Sequence, residues 1–77
     1  MSVLITTMRK NSKEEVRFSL DQFNGHDLFN ARVWFETEDG DKRPGKAGLA
    51  LKAEKLPEFA EAVNEALQLA REQGLCR

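Results

Sequence analysis

The single histidine (His26), the single cysteine (Cys76) and the single tryptophan (Trp34) carry the most specialised side-chain chemistry of this chain. The first two do not make a catalytic centre. Nucleophilic catalysis needs Ser, Cys or Thr beside a base, and His26 follows Gly25 in a turn, where a solvated imidazole is expected. Cys76 is next to last, with only Arg77 as an activating neighbour. One histidine and one cysteine do not supply the three or four N/S ligands of a zinc site. Gly45-Lys46-Ala47-Gly48 is too short, and wrongly flanked, for a phosphate-binding P-loop. The thirteen carboxylates fall mostly on turns and on one helix face, where solvation is their default role. Neither an enzyme nor a metal- or cofactor-dependent protein is expected, and no small-molecule substrate.

Trp34 is different. It alternates with Arg32 and Asn30 along a strand-like segment, on the side opposite the apolar positions Phe29, Ala31, Val33 and Phe35. An indole on a solvent-facing strand position is costly unless another surface covers it. Subunit packing is one such surface, and a planar ligand is another. Nucleic-acid bases stack on aromatic rings while basic groups track the phosphates. The nearby stretch Lys42-Arg43-Pro44-Gly45-Lys46 supplies positive charge, and its glycines let a backbone approach closely. A dimer interface accounts for Trp34 equally well.

These residues need elements to hold them. From Glu15 to about Lys52 the hydrophobic period is two. Val16, Phe18 and Leu20 alternate with Arg17, Ser19 and Asp21 in one strand, and residues 28–36 form the longest strand. Between them Phe23-Asn24-Gly25-His26-Asp27 is a turn with an Asn-Gly signal. Residues 37–41 form a second turn, residues 43–48 a basic link, and Leu49 and Leu51 mark a short strand. Residues 3–8, rich in β-branched side chains, read as a further strand. After Lys52 the period becomes 3.6, with Pro57 suited to the first helical turn and Gly74 to the position past the end. The apolar residues of this helix, Leu56 to Ala70, span nearly half its circumference, wider than the ~100° stripe that packing on one sheet requires. Its Ala62/Ala66/Leu69 side is therefore the candidate dimer interface, unless the helix simply covers the sheet more fully.

Length sharpens the case for a partner subunit. A 77-residue chain is one domain and buries only about 60% of the surface its unfolded form exposes. Without a disulfide or metal, oligomerisation is the remaining supplement. With 40% hydrophobic and 32% charged residues the chain is too apolar to be disordered. Val3-Leu4-Ile5, lacking a basic flank, reads as neither signal peptide nor membrane span, so a cytoplasmic, nucleoid-associated setting is expected. The net charge of −1 is unevenly spread: residues 9–52 carry nine Lys/Arg against eight Asp/Glu, and residues 53–77 three against five. A local basic surface is therefore compatible with the acidic total.

The run Val16-Arg17-Phe18-Ser19-Leu20-Asp21-Gln22-Phe23-Asn24-Gly25, then Leu28 to Phe35 with Arg32 inside it, then Asp39-Gly40, then Arg43-Pro44-Gly45-Lys46-Ala47-Gly48-Leu49-Ala50-Leu51, resembles the transcriptional positive cofactor four family. The resemblance spans roughly Val16 to the end of the helix. It implies a compact bacterial or phage-type member in a single domain over residues 1–77, core about 15–73. The fold implied is α+β: a curved antiparallel four-stranded sheet followed by one C-terminal helix, assembled as a homodimer whose sheets form channels for single-stranded DNA. Residue by residue, Phe23 and Phe35 match base-stacking aromatics and Arg32 a channel arginine. Lys46 matches a basic position of the Pro-Gly stretch, and His26 stands where the family often has lysine. Asn24 and Ala47 replace basic residues, which bears on affinity rather than fold. Arg43 and Lys52 complete the expected nucleic-acid contacts, beside Trp34 from the strand pattern. Simple alternation puts Phe35 on the core side, whereas the resemblance puts it near DNA; a bulge in its strand would reconcile the two. The function implied is single-stranded DNA binding with little sequence preference, in transcription regulation or the handling of exposed strands. Duplex DNA, RNA and the transcription machinery are further partners to consider. The competing reading is a dimeric protein-interaction adaptor, or an RNA binder using the same face.

Overall fold

The computed structural model describes residues 2–77. Strands β1 (Ser2–Arg9), β2 (Glu14–Phe23), β3 (His26–Glu36) and β4 (Lys42–Lys52) form one antiparallel meander in the order β1-β2-β3-β4. One 3-10 turn (Ala53–Lys55) leads into helix α1 (Leu56–Glu72). The ββββα expectation holds. The first turn is tighter than its sequence reading, because Asn24 and Gly25 both take positive φ (52° and 78°) and close a two-residue hairpin. That conformation matches the natural twist of paired strands. Pairing then runs without interruption from Phe23↔His26 to Glu14↔Phe35. β1 carries one irregularity between Leu4 and Thr6. Its turn to β2 is held by Asn11, whose Oδ1 accepts from the backbone N–H of Lys13 and Glu14 at 2.9 and 2.8 Å.

β4 corrects the sequence reading. Residues 43–48 are not a link but part of an 11-residue strand equal in length to β3. The register shifts between Arg32↔Gly48 and Trp34↔Pro44, so that residues 45–47 face Val33 alone. This irregularity hides the alternation. The glycines there do admit a close backbone, and that backbone is β3. A Cβ at Gly48 would sit 2.8 Å from the Ala31 carbonyl oxygen and 3.0 Å from the Arg32 Cα; one at Gly45 would sit 3.0 Å from the Val33 carbonyl oxygen.

One sheet face is apolar: Val16, Phe18 and Leu20 of β2 lie opposite Val33, Ala31 and Phe29 of β3, with Leu49 and Leu51 beyond. Phe18 and Phe29 stack at 6.4 Å between ring centres, and Phe59 of α1 meets Phe29 at 5.9 Å. There the contact thins. Phe29 is the one apolar side chain buried among the described residues, and every residue of α1 from 60 to 69 is exposed. The helix does not cover the sheet; it leaves it after one turn. The radius of gyration is 14.6 Å, against about 11.5 Å for a compact domain of this length. The exposed surface is 6268 Å², about 1,500 Å² more than a closed monomer of this mass presents.

Gly48→Ala tests the β3–β4 approach. Overpacking against backbone costs about 1–3 kcal/mol, so the variant should melt several degrees below the parent at equal protein concentration. An unchanged melting temperature would show that β4 does not lie this close to β3.

Candidate nucleic-acid interface

The other sheet face is polar, and strand register decides what lies on it. Phe23 and His26 pair at the hairpin tip, Arg17 faces Arg32, and Glu15 faces Trp34. On β4, Gly48 faces Arg32, Pro44 faces Trp34 and Lys52 faces Leu28. Five of the eight expected contacts, Phe23, His26, Arg32, Trp34 and Lys52, thus share this face. From His26 to Trp34 it extends eight residues along β3, about 26 Å at strand rise. His26 and Lys52 line one cleft of about 300 Å³ with Gly25, Asp27, Ala53 and Glu54.

The remaining three lie elsewhere. Phe35 pairs with Glu14 and Arg43 in unbroken β2–β3 register, so no bulge turns the tail of β3 over. Phe35 stays on the apolar face, as alternation requires, yet it is 40% exposed because α1 does not reach that end of the sheet. Arg43 is its exposed neighbour, and Lys46 sits in the irregular segment of β4. Ala62, Ala66 and Leu69 are exposed on α1, as are Val63 and Leu67 on the adjoining side. Cys76 is an exposed thiol past the helix. Among the described residues no group of three His, Cys, Asp or Glu is placed to hold a metal ion, and no helix is long and apolar enough to cross a membrane.

At the far end of the polar face the side chains form a network that no single residue announces. The Arg17 guanidinium lies over the Trp34 ring, with Cζ 3.9 Å from the ring centre. Its Nε donates to Glu15 Oε2 at 2.7 Å, while Lys42 Nζ donates to Glu15 Oε1 at 2.5 Å. Trp34 is half-buried under this cation. Glu15 is buried, and the hydrogen bond from Lys42, then that from Arg17, holds its carboxyl below the ordinary value of 4.5. Asp21 is depressed likewise, first by the Ser2 hydroxyl and further by the Ser19 hydroxyl and the Asn30 amide. Among the described residues Arg32 has no carboxylate partner; its Nη1 donates to the Gly45 carbonyl at 3.3 Å, and its Cζ lies over Gly48. Arg17 and Glu15 were missed from the sequence, and Lys42 was read only as part of the basic stretch. The signal was the Asn-Gly turn, which sets the register and so puts Arg17 opposite Arg32.

A four-stranded antiparallel meander with one trailing helix and an arginine-bearing open face defines a small PC4-type domain. The sequence model of the family described as Transcriptional Coactivator p15 (PC4) matches residues 10–62, more than half of the chain, and the chain belongs to that family. A PC4 homologue from Burkholderia pseudomallei has the same fold, with a TM-score of 0.76 and 22% identity over 84% of this chain and 88% of that one. The bacteriophage T5 homologue of the eukaryotic coactivator PC4 gives 0.64 at 19% identity, covering 96% and 82%. MoSub1, solved in complex with DNA, gives 0.61 at 25% identity, covering 90% and 84%. Curated protein sequences yield no match.

The Glu15 network makes a pH prediction. Because its folded-state pKa is depressed, its contribution to stability is present above the unfolded value, about 4.3, and is lost as pH falls through the folded value. Glu14 and Asp21 are depressed too and act in the same direction. Thermal melts of Glu15→Gln between pH 7 and 3 should therefore show a shallower acid decline than the parent. An equally steep decline would remove Glu15 from the network's energetics.

Proposed function

We propose that the chain is a homodimeric single-stranded-DNA-binding protein with little sequence preference, acting in transcription regulation or on exposed strands in a cytoplasmic, nucleoid-associated setting. The observation that carries this reading is Phe23. It is an aromatic ring 65% exposed at a hairpin tip, on the same face as Arg32, in a chain of the PC4 family. An exposed ring accepts the face of any base, and the cations neutralise phosphates, which gives affinity without sequence readout. Phe35, with Arg43 beside it at the open end of the sheet, is a second stacking candidate, and His26, Lys46 and Lys52 add polar contacts. Two relatives support the DNA reading. MoSub1 was solved with DNA bound, and the phage T5 homologue is described as implicated in recombination-dependent DNA replication.

The unclosed surface supports dimerisation. Burying the surplus of about 1,500 Å² on each of two protomers falls in the range of obligate homodimer interfaces. The bare stripe of α1, with Val63 and Leu69 about half exposed, is the expected seam beside Ala62 and Ala66. The adaptor reading keeps the same dimer through the helix and places a foreign protein on the sheet face, so nucleic-acid binding separates the two.

Sedimentation at micromolar concentration should give twice 8.8 kDa, and Leu69→Glu or Val63→Glu should shift the species toward monomer. A monomer across the whole concentration range would overturn the dimer and the shared channel with it. A labelled dT oligonucleotide should bind more tightly than its duplex, with log K falling against log salt by about 0.7 per phosphate neutralised. Phe23→Ala should lose about ten-fold to over a hundred-fold, since one base–aromatic stack is worth about 1–3 kcal/mol. Tighter duplex binding, or a fully active Phe23→Ala, would overturn stacking at the hairpin tip.

A further inference from the structure

Arg17 and Arg32 occupy directly opposed positions of β2 and β3 on the polar face. Like charges so placed in a sheet are destabilising, and neither the apolar face nor α1 needs them there. Both are nevertheless held in position by other groups. Arg32 lies over Gly48 and is tied to the Gly45 carbonyl. Arg17 is fixed by the Glu15 carboxylate at Nε and by the Trp34 ring beneath. Only Nε is engaged by Glu15, so the two Nη groups of Arg17 have no hydrogen-bond partner among the described residues. Its side chain is 29% exposed and Glu15 only 11%. A guanidinium flat on an indole is preorganised, and its free fork matches two oxygens of a phosphodiester. The same geometry leaves the covered face of Trp34 closed to a base.

We propose that Arg17 is a phosphodiester-binding residue that clamps the nucleic-acid backbone together with Arg32, and that Trp34 is its positioning residue rather than a base platform. This rests on the single-stranded-DNA reading above. The clamp lies six residues along β3 from the hairpin tip where Phe23 stands, so one strand of DNA meets stacking at the tip and phosphate binding further along the face.

The test is a dT-oligonucleotide titration of the full chain at several salt concentrations, with thermal melts of every variant. Arg17→Met should lower affinity about ten-fold or more and reduce the magnitude of the salt slope by about 0.7. Arg17→Lys, which keeps the charge and the Glu15 ion pair, should keep the slope while binding several-fold more weakly. It carries the test if Arg17→Met does not fold. Trp34→Leu should lose several-fold in the parent background and nothing further in the Arg17→Met background, because Trp34 acts through Arg17. Parent-like affinity and slope in either Arg17 variant would overturn the clamp. An equal loss from Trp34→Leu in both backgrounds would make Trp34 a base platform instead. If the parent itself binds no oligonucleotide at low salt, the single-strand reading falls and the clamp with it. Binding by the parent with Arg17→Met unchanged removes the clamp alone.

Discussion

The pairing of β2 with β3 is the constraint on which the rest of the molecule depends. Asn24 and Gly25 at positive φ leave two residues for the turn, and a two-residue hairpin permits one register. From that register Arg17 falls opposite Arg32, Glu15 opposite Trp34, and Phe18 beside Phe29. A slip of one residue would exchange the two faces entirely, burying arginines and exposing phenylalanines. β4 is then positioned by contact with β3: Gly45 and Gly48 are the only residue type that lets its backbone pass so close to the carbonyls of Val33 and Ala31. The extra residues of the irregular segment are accommodated where a side chain would not fit. Hairpin turn and glycine contact therefore act in series, the first ordering the arginine row, the second laying Arg32 flat across it.

The opposite face is unfinished. A three-ring contact, Phe18–Phe29–Phe59, anchors α1 by its first turn, and the helix then projects with its apolar stripe bare. A domain of this length is marginal even when closed, and this one is open. A second protomer on the helix stripe would supply the missing burial while leaving the polar face free, because the two surfaces are on different sides of the sheet. On the proposed reading this separation is functional: association and ligand binding do not compete for the same residues.

Much of the fold was legible because periodicity is a local property. Val16, Phe18 and Leu20 alternate; residues 56–70 repeat at 3.6; Asn24-Gly25 is a turn by its own chemistry. What escaped was set by contacts across strands. Residues 43–48 read as a link since residues 45–47 break the alternation, and the break has meaning only against Val33. Phe35 raised a conflict between alternation and resemblance that called for a bulge. None exists in β3, because exposure there comes from how far the helix reaches, which no pattern within the strand encodes. By alternation alone Trp34 needs a covering surface, and it has one in Arg17. That partner lies on the neighbouring strand, diagonal to it, and emerges only once the register has been counted back from the turn.

Charge placement accounts for how a chain with a net charge of −1 fits a polyanionic partner. Glu58, Glu61, Glu65 and Glu72 sit on α1, the element that leaves the sheet, whereas Arg9, Arg17, Arg32, Lys42 and Lys52 lie on the polar face against Glu15, Asp21 and Glu36. Screening limits exposed charges to about 8 Å at physiological ionic strength, so a ligand on that face responds to the local excess of cations and not to the molecular total. Glu15 refines this further. Being buried, with its oxygens taken by Arg17 and Lys42, it offers an approaching phosphate little direct repulsion while holding two cations in place. A carboxylate in the middle of a cationic face is then no contradiction. It lowers the like-charge repulsion of the free protein and keeps the guanidinium seated on its ring, so that less side-chain freedom is lost when an anion arrives.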